Sequence, residues 1–406
     1  MSEPAGHPPA GLAPASAVII GTGLIGTSVA LALRSRGVTV WLADRDPAAA
    51  QLAADIGAGD ALPPGGAPPT AAPRRAAAVR RGAGPVSEVT GGPPGGPADI
   101  AVVAVPPGAV AATLRDAQAR GLARWYTDVA SVKCQPLAQA AALGCDLASF
   151  VPGHPLAGRE RSGPAAARAD LFLGRPWVVC QGDSIPAAGV AVVEALARAC
   201  GAEPVRSGPA EHDTWVALAS HAPHVVSAAM AARLTEAQDG ALALAGQGLR
   251  DVTRIAAGDT RLWTQILAAN AAPVADVLAA VGADLMAVAE ELAEAVRGGG
   301  PATGPAPELK LLAALLDQGC AGVARLPGKR GGPARAVTLV QVVIRDQPGE
   351  LARLFQAAGE AGVNIEDIGI EHSPGLPVGV AELTVHPDAV GPLTEALAAN
   401  GWPVRR

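Results

Sequence analysis

Two groups of residues in this 406-residue chain have the types and spacing to do chemistry: a glycine cluster near the start and a set of histidines in the middle. Gly21-Thr22-Gly23-Leu24-Ile25-Gly26 is a G-x-G-x-x-G run, and Asp44 follows it about 20 residues on, the separation of a dinucleotide-binding turn from its ribose acceptor. In such a run the first glycine permits a tight turn, the second lets a pyrophosphate approach the backbone, and the third lets helix and sheet pack closely. The first amides of the helix then face the phosphates. Asp44 would accept from the ribose hydroxyls and repel a 2′-phosphate, which favours NAD over NADP, with Arg45 beside it leaving mixed use open. A glycine-rich turn with no ligand is the bland alternative.

Of the seven histidines, His7 lies in the N-terminal tail and His372 and His386 near the C-terminus, leaving His154, His212, His221 and His224 together in the middle. His154 stands in the loop Gly153 to Gly163, stiffened by Pro155 and three glycines. Oxidation of an alcohol needs a group that takes the hydroxyl proton while hydride leaves carbon, and a near-neutral imidazole suits the task. His154 is the candidate base, a loop histidine bonded to a carbonyl the alternative. His221 and His224 are three apart and share a helix face. They lack a convincing third ligand, so no metal is assigned. Arg254, in Arg250-Asp251-Val252-Thr253-Arg254-Ile255, could hold a substrate carboxylate by its fork of donors or make an ordinary pair with an Asp.

These groups need a scaffold. Ala17 to Ile20 is a short apolar run ending at Gly21, Leu24 to Leu33 reads as a buried helix, Val38 to Leu42 as a second strand closing at Asp44, and Ile100 to Val105 as a third, cut off by Pro106 and Pro107. Strands alternating with helices predict an α/β Rossmann domain with a doubly wound parallel sheet over 16–184, after a tail over 1–15. The Pro, Gly, Ala and Arg of 57–97 predict a flexible insertion. Trp177 to Cys180 reads as a last strand. From Ala187 to Val296 the composition is helical, which predicts an all-α domain over 185–297, our candidate substrate and dimerisation domain.

Within it Val274, Leu278, Val281, Leu285, Val288 and Leu292 recur in alternating steps of four and three, a packing seam that could face its own bundle or a second subunit. We expect a homodimer. A linker over 298–333, Gly/Pro-rich from Gly298 to Pro307, carries a short helix around Leu309 to Leu316. From 334 to 406 the order strand, helix, strand, strand, helix, short strand predicts a small α+β ferredoxin-like domain.

Composition excludes other classes. The 49 Gly and 37 Pro follow no collagen period, and the half-apolar chain should fold. A net charge of −6 without a long basic run argues against nucleic acid as a partner. Five cysteines without a C-x-x-C pair argue against a disulfide framework and for a reducing cytoplasm. The first residues lack the basic and apolar stretches of a secretion signal, and no run of about 18 apolar residues free of charge or proline predicts a membrane span.

Five motifs in one order resemble the prephenate dehydrogenase family: Gly21 to Ser28, Asp128-Val129-Ala130-Ser131-Val132-Lys133, the His154 loop, Ser220-His221-Ala222-Pro223-His224, and Asp251 to Ala256 followed by Trp263. The C-terminal segment resembles an ACT domain, a small-molecule sensor. The resemblance implies NAD-dependent oxidative decarboxylation of prephenate to 4-hydroxyphenylpyruvate in tyrosine biosynthesis. Arogenate dehydrogenase is the close alternative, and a non-catalytic amino-acid sensor the remote one. It implies that Ser131 orients His154 or the nicotinamide end, that Arg254 grips the ring carboxylate, and that His224 lines the pocket with His221 nearby. Glu160 and Asp251 become gate or supporting residues. The ACT likeness implies tyrosine as effector near the Asp346 turn, with Asn364 a contact. The loop carries Leu156 where the family often has Met or Ile, and the 57–97 insertion is longer than expected.

Overall fold

The computed structural model describes residues 14–62, 96–158, 163–182, 185–297, 308–326, 336–372 and 377–405, which divide into two compact units, Met1–Ala280 and Val281–Arg406.

The first unit opens with β1 (Ser16–Ile20), α1 (Leu24–Ser35), β2 (Thr39–Ala43), α2 (Pro47–Asp55), β3 (Asp60–Ala61), β4 (Ala98–Val103), α3 (Pro107–Ala119), β5 (Ala123–Asp128) and α4 (Cys134–Ala142). The five strands pair in parallel in the order β3-β2-β1-β4-β5. Ala17, Val18 and Ile19 of β1 and Ile100 to Val103 of β4 have no exposure, as central strands covered on both faces require. Winding reverses between β1 and β4, so a crevice opens at the carboxyl ends of the strands. Gly21, Asp44 and Asp128 lie at those ends.

A second, three-stranded sheet follows. β6 (Gly153–Pro155) runs antiparallel to β7 (Pro176–Cys180), and β7 runs parallel to β8 (Glu203–Ser207), with α5 (Ala187–Ala199) between the last two. This moves the boundary expected at 184/185. Val190, Val193, Leu196 and Ala197 of α5 pack into the same core as Ile19, Ile100 and Val102, so α5 and β8 complete the α/β layers, and the helical segment begins after Gly208. The reading of α5 as part of a helical domain followed from composition, which does not say what a helix covers. The insertion also starts later than 57. Ala58 is buried and β3 pairs with β2, leaving 63–95 outside the described residues.

The helical segment comprises α6 (Pro209–Val216), a wider π-type turn over Ala217–His221, α7 (Ala222–Ala232), α8 (Asp239–Ala243), α9 (Gln247–Thr253), a 3₁₀ turn over Arg254–Ala257, α10 (Thr260–Ala269) and α11 (Ala271–Arg297). Of the expected seam only Val274 is buried, whereas Leu285 is 57% and Leu292 42% exposed, so the seam does not close on the described helices of its own chain. By length and composition α11 could cross a membrane, with mean hydropathy 1.7 over its most apolar stretch, a result the sequence reading did not anticipate.

In the second unit α12 (Lys310–Val323) is longer than the Leu309 to Leu316 helix expected, its first amides capped by Glu291, which accepts from Leu311 N at 2.9 Å and Leu312 N at 3.0 Å. There follow β9 (Thr338–Arg345), α13 (Glu350–Glu360), β10 (Ile365–His372), β11 (Val378–Val385), α14 (Val390–Ala399) and β12 (Val404–Arg405). The sheet is antiparallel in the order β10-β11-β9-β12. Val340, Val342, Leu383, Leu354, Leu393 and Leu397 form its core with the two helices, the ferredoxin-like layout. The glycine-rich linker 298–307 and the Ser373 to Gly375 turn lie outside the described residues.

Candidate active site

The glycine turn has the shape its sequence demands. Gly21 has φ +101°, and a Cβ there would sit 2.3 Å from the Ala104 carbonyl oxygen. A Cβ on Gly26 would sit 1.9 Å from the Gly21 carbonyl oxygen, so α1 packs against the turn without a side chain between them. Gly23 faces open space at the start of α1, with no side chain capping the helix and no acidic residue in its first turn. Unpaired amides over an open cradle fit the phosphates of a dinucleotide. Leu24 and Ile25 are half-buried behind it. The Asp44 carboxylate is already oriented: Oδ2 accepts from Thr22 N at 2.6 Å and Thr22 Oγ1 at 2.9 Å, and Oδ1 from Asp46 N at 2.9 Å.

At the end of β5 a buried ion pair prepares the next strand. Lys133 and Asp128 pair with almost no exposure, Lys133 Nζ donates to the Gly153 carbonyl at 2.7 Å, and Asp128 Oδ1 accepts from Gly153 N at 3.1 Å. Both backbone polar groups of the residue before His154 are thereby fixed.

From His154 a chain of hydrogen bonds runs into the helical segment. His154 Nδ1 meets His212 Nε2 at 2.9 Å, and His212 Nδ1 meets Asp213 Oδ1 at 2.8 Å. Asp213 also seats α4, accepting from Lys133 N at 2.8 Å and Cys134 N at 2.9 Å. Burial pushes the Asp213 carboxyl up, but the bonds from His212 and these two amides outweigh it and hold it below the usual carboxylate range. An ionised carboxylate only accepts, so in the neutral chain His212 Nδ1–H donates to Asp213, His212 Nε2 accepts from His154 Nδ1–H, and His154 Nε2 is left with a lone pair. Burial above all, with the Lys133 ammonium nearby, holds His154 well below the ordinary imidazole value, so the ring stays unprotonated at neutral pH.

Beside this chain lies a second imidazole pair. His224 stacks on Trp263, centroids 3.6 Å apart, and His221 meets the same indole edge-on at 6.2 Å. Gly258 makes room, since a Cβ there would lie 2.5 Å from Trp263 Nε1. Asn270 Nδ2 lies 2.8 Å from the Asp213 carbonyl oxygen and 3.0 Å from His221 Nδ1. Burial lowers His221 to about 4 and lowers His224 as well.

Of the residues picked out by sequence, Ser131 is half-buried in the turn after β5, but the ring partner of His154 is His212. Arg254 is exposed on its 3₁₀ turn, and Glu160 lies outside the described residues. Asp346 and Asn364 are exposed in the other unit, where Asn364 donates to Glu366 at 2.7 Å. Sequence reasoning passed over His212 with Asp213, the burial of Lys133, and Asn270. The available signal was an imidazole and a carboxylate adjacent in sequence at the head of the helical segment.

Residues 84–206 match the family model described as prephenate dehydrogenase, nucleotide-binding domain, and residues 208–298 the one described as prephenate dehydrogenase, dimerization domain. The chain is 40% identical over 390 residues to the probable prephenate dehydrogenase NovF of Streptomyces niveus, covering 96% of this chain and 99% of that one. The chain belongs to the prephenate dehydrogenase family. The family's Bacillus subtilis prephenate dehydrogenase is 31% identical over 153 residues, 37% of this chain and 41% of its own. The fold is that of the Aquifex aeolicus prephenate dehydrogenase solved with hydroxyphenyl propionate and NAD+, at TM-score 0.60 and 20% identity, covering 77% of this chain and 99% of the other. The break between the two family models falls where β8 gives way to α6.

Proposed function

We propose that the protein is a prephenate dehydrogenase, converting prephenate with NAD to 4-hydroxyphenylpyruvate and carbon dioxide. The hydrogen-bonded chain from Asp213 through His212 to His154 carries this reading, because it leaves one imidazole as an unprotonated acceptor in a family whose named members oxidise cyclohexadienols. Bound at the glycine turn, NAD supplies a hydride acceptor. Gly21, Gly23 and Gly26 hold its pyrophosphate, with Leu24 and Ile25 at the helix start, and Asp44 its ribose.

His154 Nε2 takes the proton of the ring hydroxyl as hydride leaves the same carbon. The electrons of the bond to the ring carboxylate then enter the ring, carbon dioxide departs, the ring oxygen takes its proton back from His154, and aromaticity makes the step irreversible. The cation formed on His154 is spread towards Asp213 through His212, with Asp213 held ionised by the amides of α4. Arg254 grips the ring carboxylate, Ser131 orients His154 or the nicotinamide end, His224 lines the pocket against Trp263 with His221 nearby, and Glu160 and Asp251 are gate or supporting residues.

NADH formation from prephenate and from arogenate, each with NAD and NADP, tests the reading. We expect prephenate with NAD to be preferred. A preference for arogenate would move the assignment to the sister reaction, and no turnover of either would remove it.

The exposed seam of α11, in the segment matched by the dimerization model, supports a homodimer. The ferredoxin-like sheet supports an ACT-type sensor that takes tyrosine near Asp346 and Asn364. A chain ending near 330 should keep its activity and lose inhibition by tyrosine, and equal inhibition would locate tyrosine at the active site.

A further inference from the structure

Asn270 closes α10, buried, and the mechanism above does not use it. Its side-chain nitrogen lies within hydrogen-bonding distance of two acceptors at once, the Asp213 carbonyl oxygen and His221 Nδ1. The carbonyl oxygen cannot donate, so the group facing it must be the amide NH₂. The reversed amide would set oxygen against oxygen. One N–H then points to Asp213 and the other to His221 Nδ1. That nitrogen can only accept, and the proton of the neutral ring must sit on Nε2. A second proton at Nδ1 would meet the amide hydrogens head-on, in a ring already 1% exposed.

His221 Nε2–H has no partner among the described residues, and the ring stands with His224 on Trp263, joined through Asn270 to the same Asp213 that holds the His154 chain. We propose that Asn270 is a positioning residue that fixes His221 as a neutral Nε2–H donor to an oxygen of the substrate. Naming prephenate as the owner of that oxygen rests on the function proposed above; the tautomer does not. Asp213 thus sets two imidazoles in opposite states. Its side chain, through His212, makes His154 an acceptor, and its carbonyl, through Asn270, makes His221 a donor.

The test is nitrogen NMR of ring-labelled histidine in the full-length protein, with the His221 signal assigned by its loss in His221→Gln. We expect a bare Nδ1 and a protonated Nε2 at neutral pH. Asn270→Asp, which replaces the donor by an acceptor, should put a proton on Nδ1. A protonated Nδ1 in the unmodified protein overturns the proposal even if no variant folds, as does an unchanged Nδ1 in a folded Asn270→Asp. For the substrate contact, His221→Gln keeps a donor near the Nε2 position and should hold KM within a few-fold, whereas His221→Leu should raise KM about tenfold with a smaller change in kcat. Equal KM values in the two variants would overturn the donor role. If neither prephenate nor arogenate is turned over, the function reading fails while the NMR result still decides the tautomer.

Discussion

The glycine turn and the histidine cluster sit in one compact unit but are built by opposite means. The turn is largely local: Gly21, Gly23, Gly26 and Asp44 belong to one strand-helix-strand unit, with only Ala104 after β4 reaching the turn from further along the chain. The cluster is assembled from afar. His154 finds His212 58 residues on, Lys133 N finds Asp213 80 residues on, and Asn270 reaches back 57 residues to Asp213. A local device should tolerate the loss of one contact and change its preference. A long-range device, in which each group fixes the next, should fail as a whole.

The largest effect is expected at the end of the chain of bonds. His154→Asn should bind NAD normally in a fluorescence titration and lose turnover by roughly 10²- to 10⁴-fold, the scale of a general base. Near-normal turnover would break the comparison at its centre. Asp213→Asn should come close behind, with turnover down about 10²-fold, because an amide cannot accept from His212 and two backbone amides together and leaves His154 without a fixed tautomer. If turnover survives while Tm falls, Asp213 only fastens α4.

A smaller change should follow from Asp44→Ser, which leaves the glycine turn intact and removes the carboxylate that repels a 2′-phosphate. The ratio of kcat/KM for NAD over NADP should fall by roughly tenfold, with turnover on NAD retained. A collapse of both activities would mean that Thr22 and Asp46 depend on Asp44 for the fold.

The smallest effect concerns acid stability. His221 lies at about 4 in the folded protein, against an unfolded value of about 6.5. Between these the unfolded chain binds the additional proton, so stability is full above the unfolded value and declines as pH falls towards the folded one. Urea midpoints measured across this window should slope less in His221→Gln than in the unmodified protein, and parallel slopes would contradict the burial of a neutral ring.

What could be read in the sequence divides along the same line. The shape of the glycine turn and the strand that ends at Asp44 were legible because periodicity and glycine placement are local properties, and so was the strand-helix order of the C-terminal unit; His154 was proposed as the base from its residue type and its loop. Ser131 was expected by motif to orient His154 or the nicotinamide end, yet the ring partner of His154 is His212, since adjacency in a motif says nothing of which side chains meet. Lys133, fully buried against Asp128 and the Gly153 carbonyl, was named only as the end of a motif, because a lone lysine carries no mark of burial. The boundary at 184/185 failed for a related reason: α5 is as helical in composition as α6, and only its packing on Ile19 and Ile100 assigns it.

The seat of Asp213 on the amides of Lys133 and Cys134 has a consequence for how such proteins can be recombined. His154, the proposed base, sits on a strand encoded before residue 208 and the groups hydrogen-bonded to it are encoded after it, so the module boundary at Gly208 cuts through the hydrogen-bonded chain. A hybrid joined there from two relatives would inherit its base from one parent and the setting of that base from the other. Exchanging the helical module alone is therefore expected to disturb proton transfer before it disturbs cofactor choice, and a working chimaera must carry His212, Asp213 and the start of α4 as one inherited set.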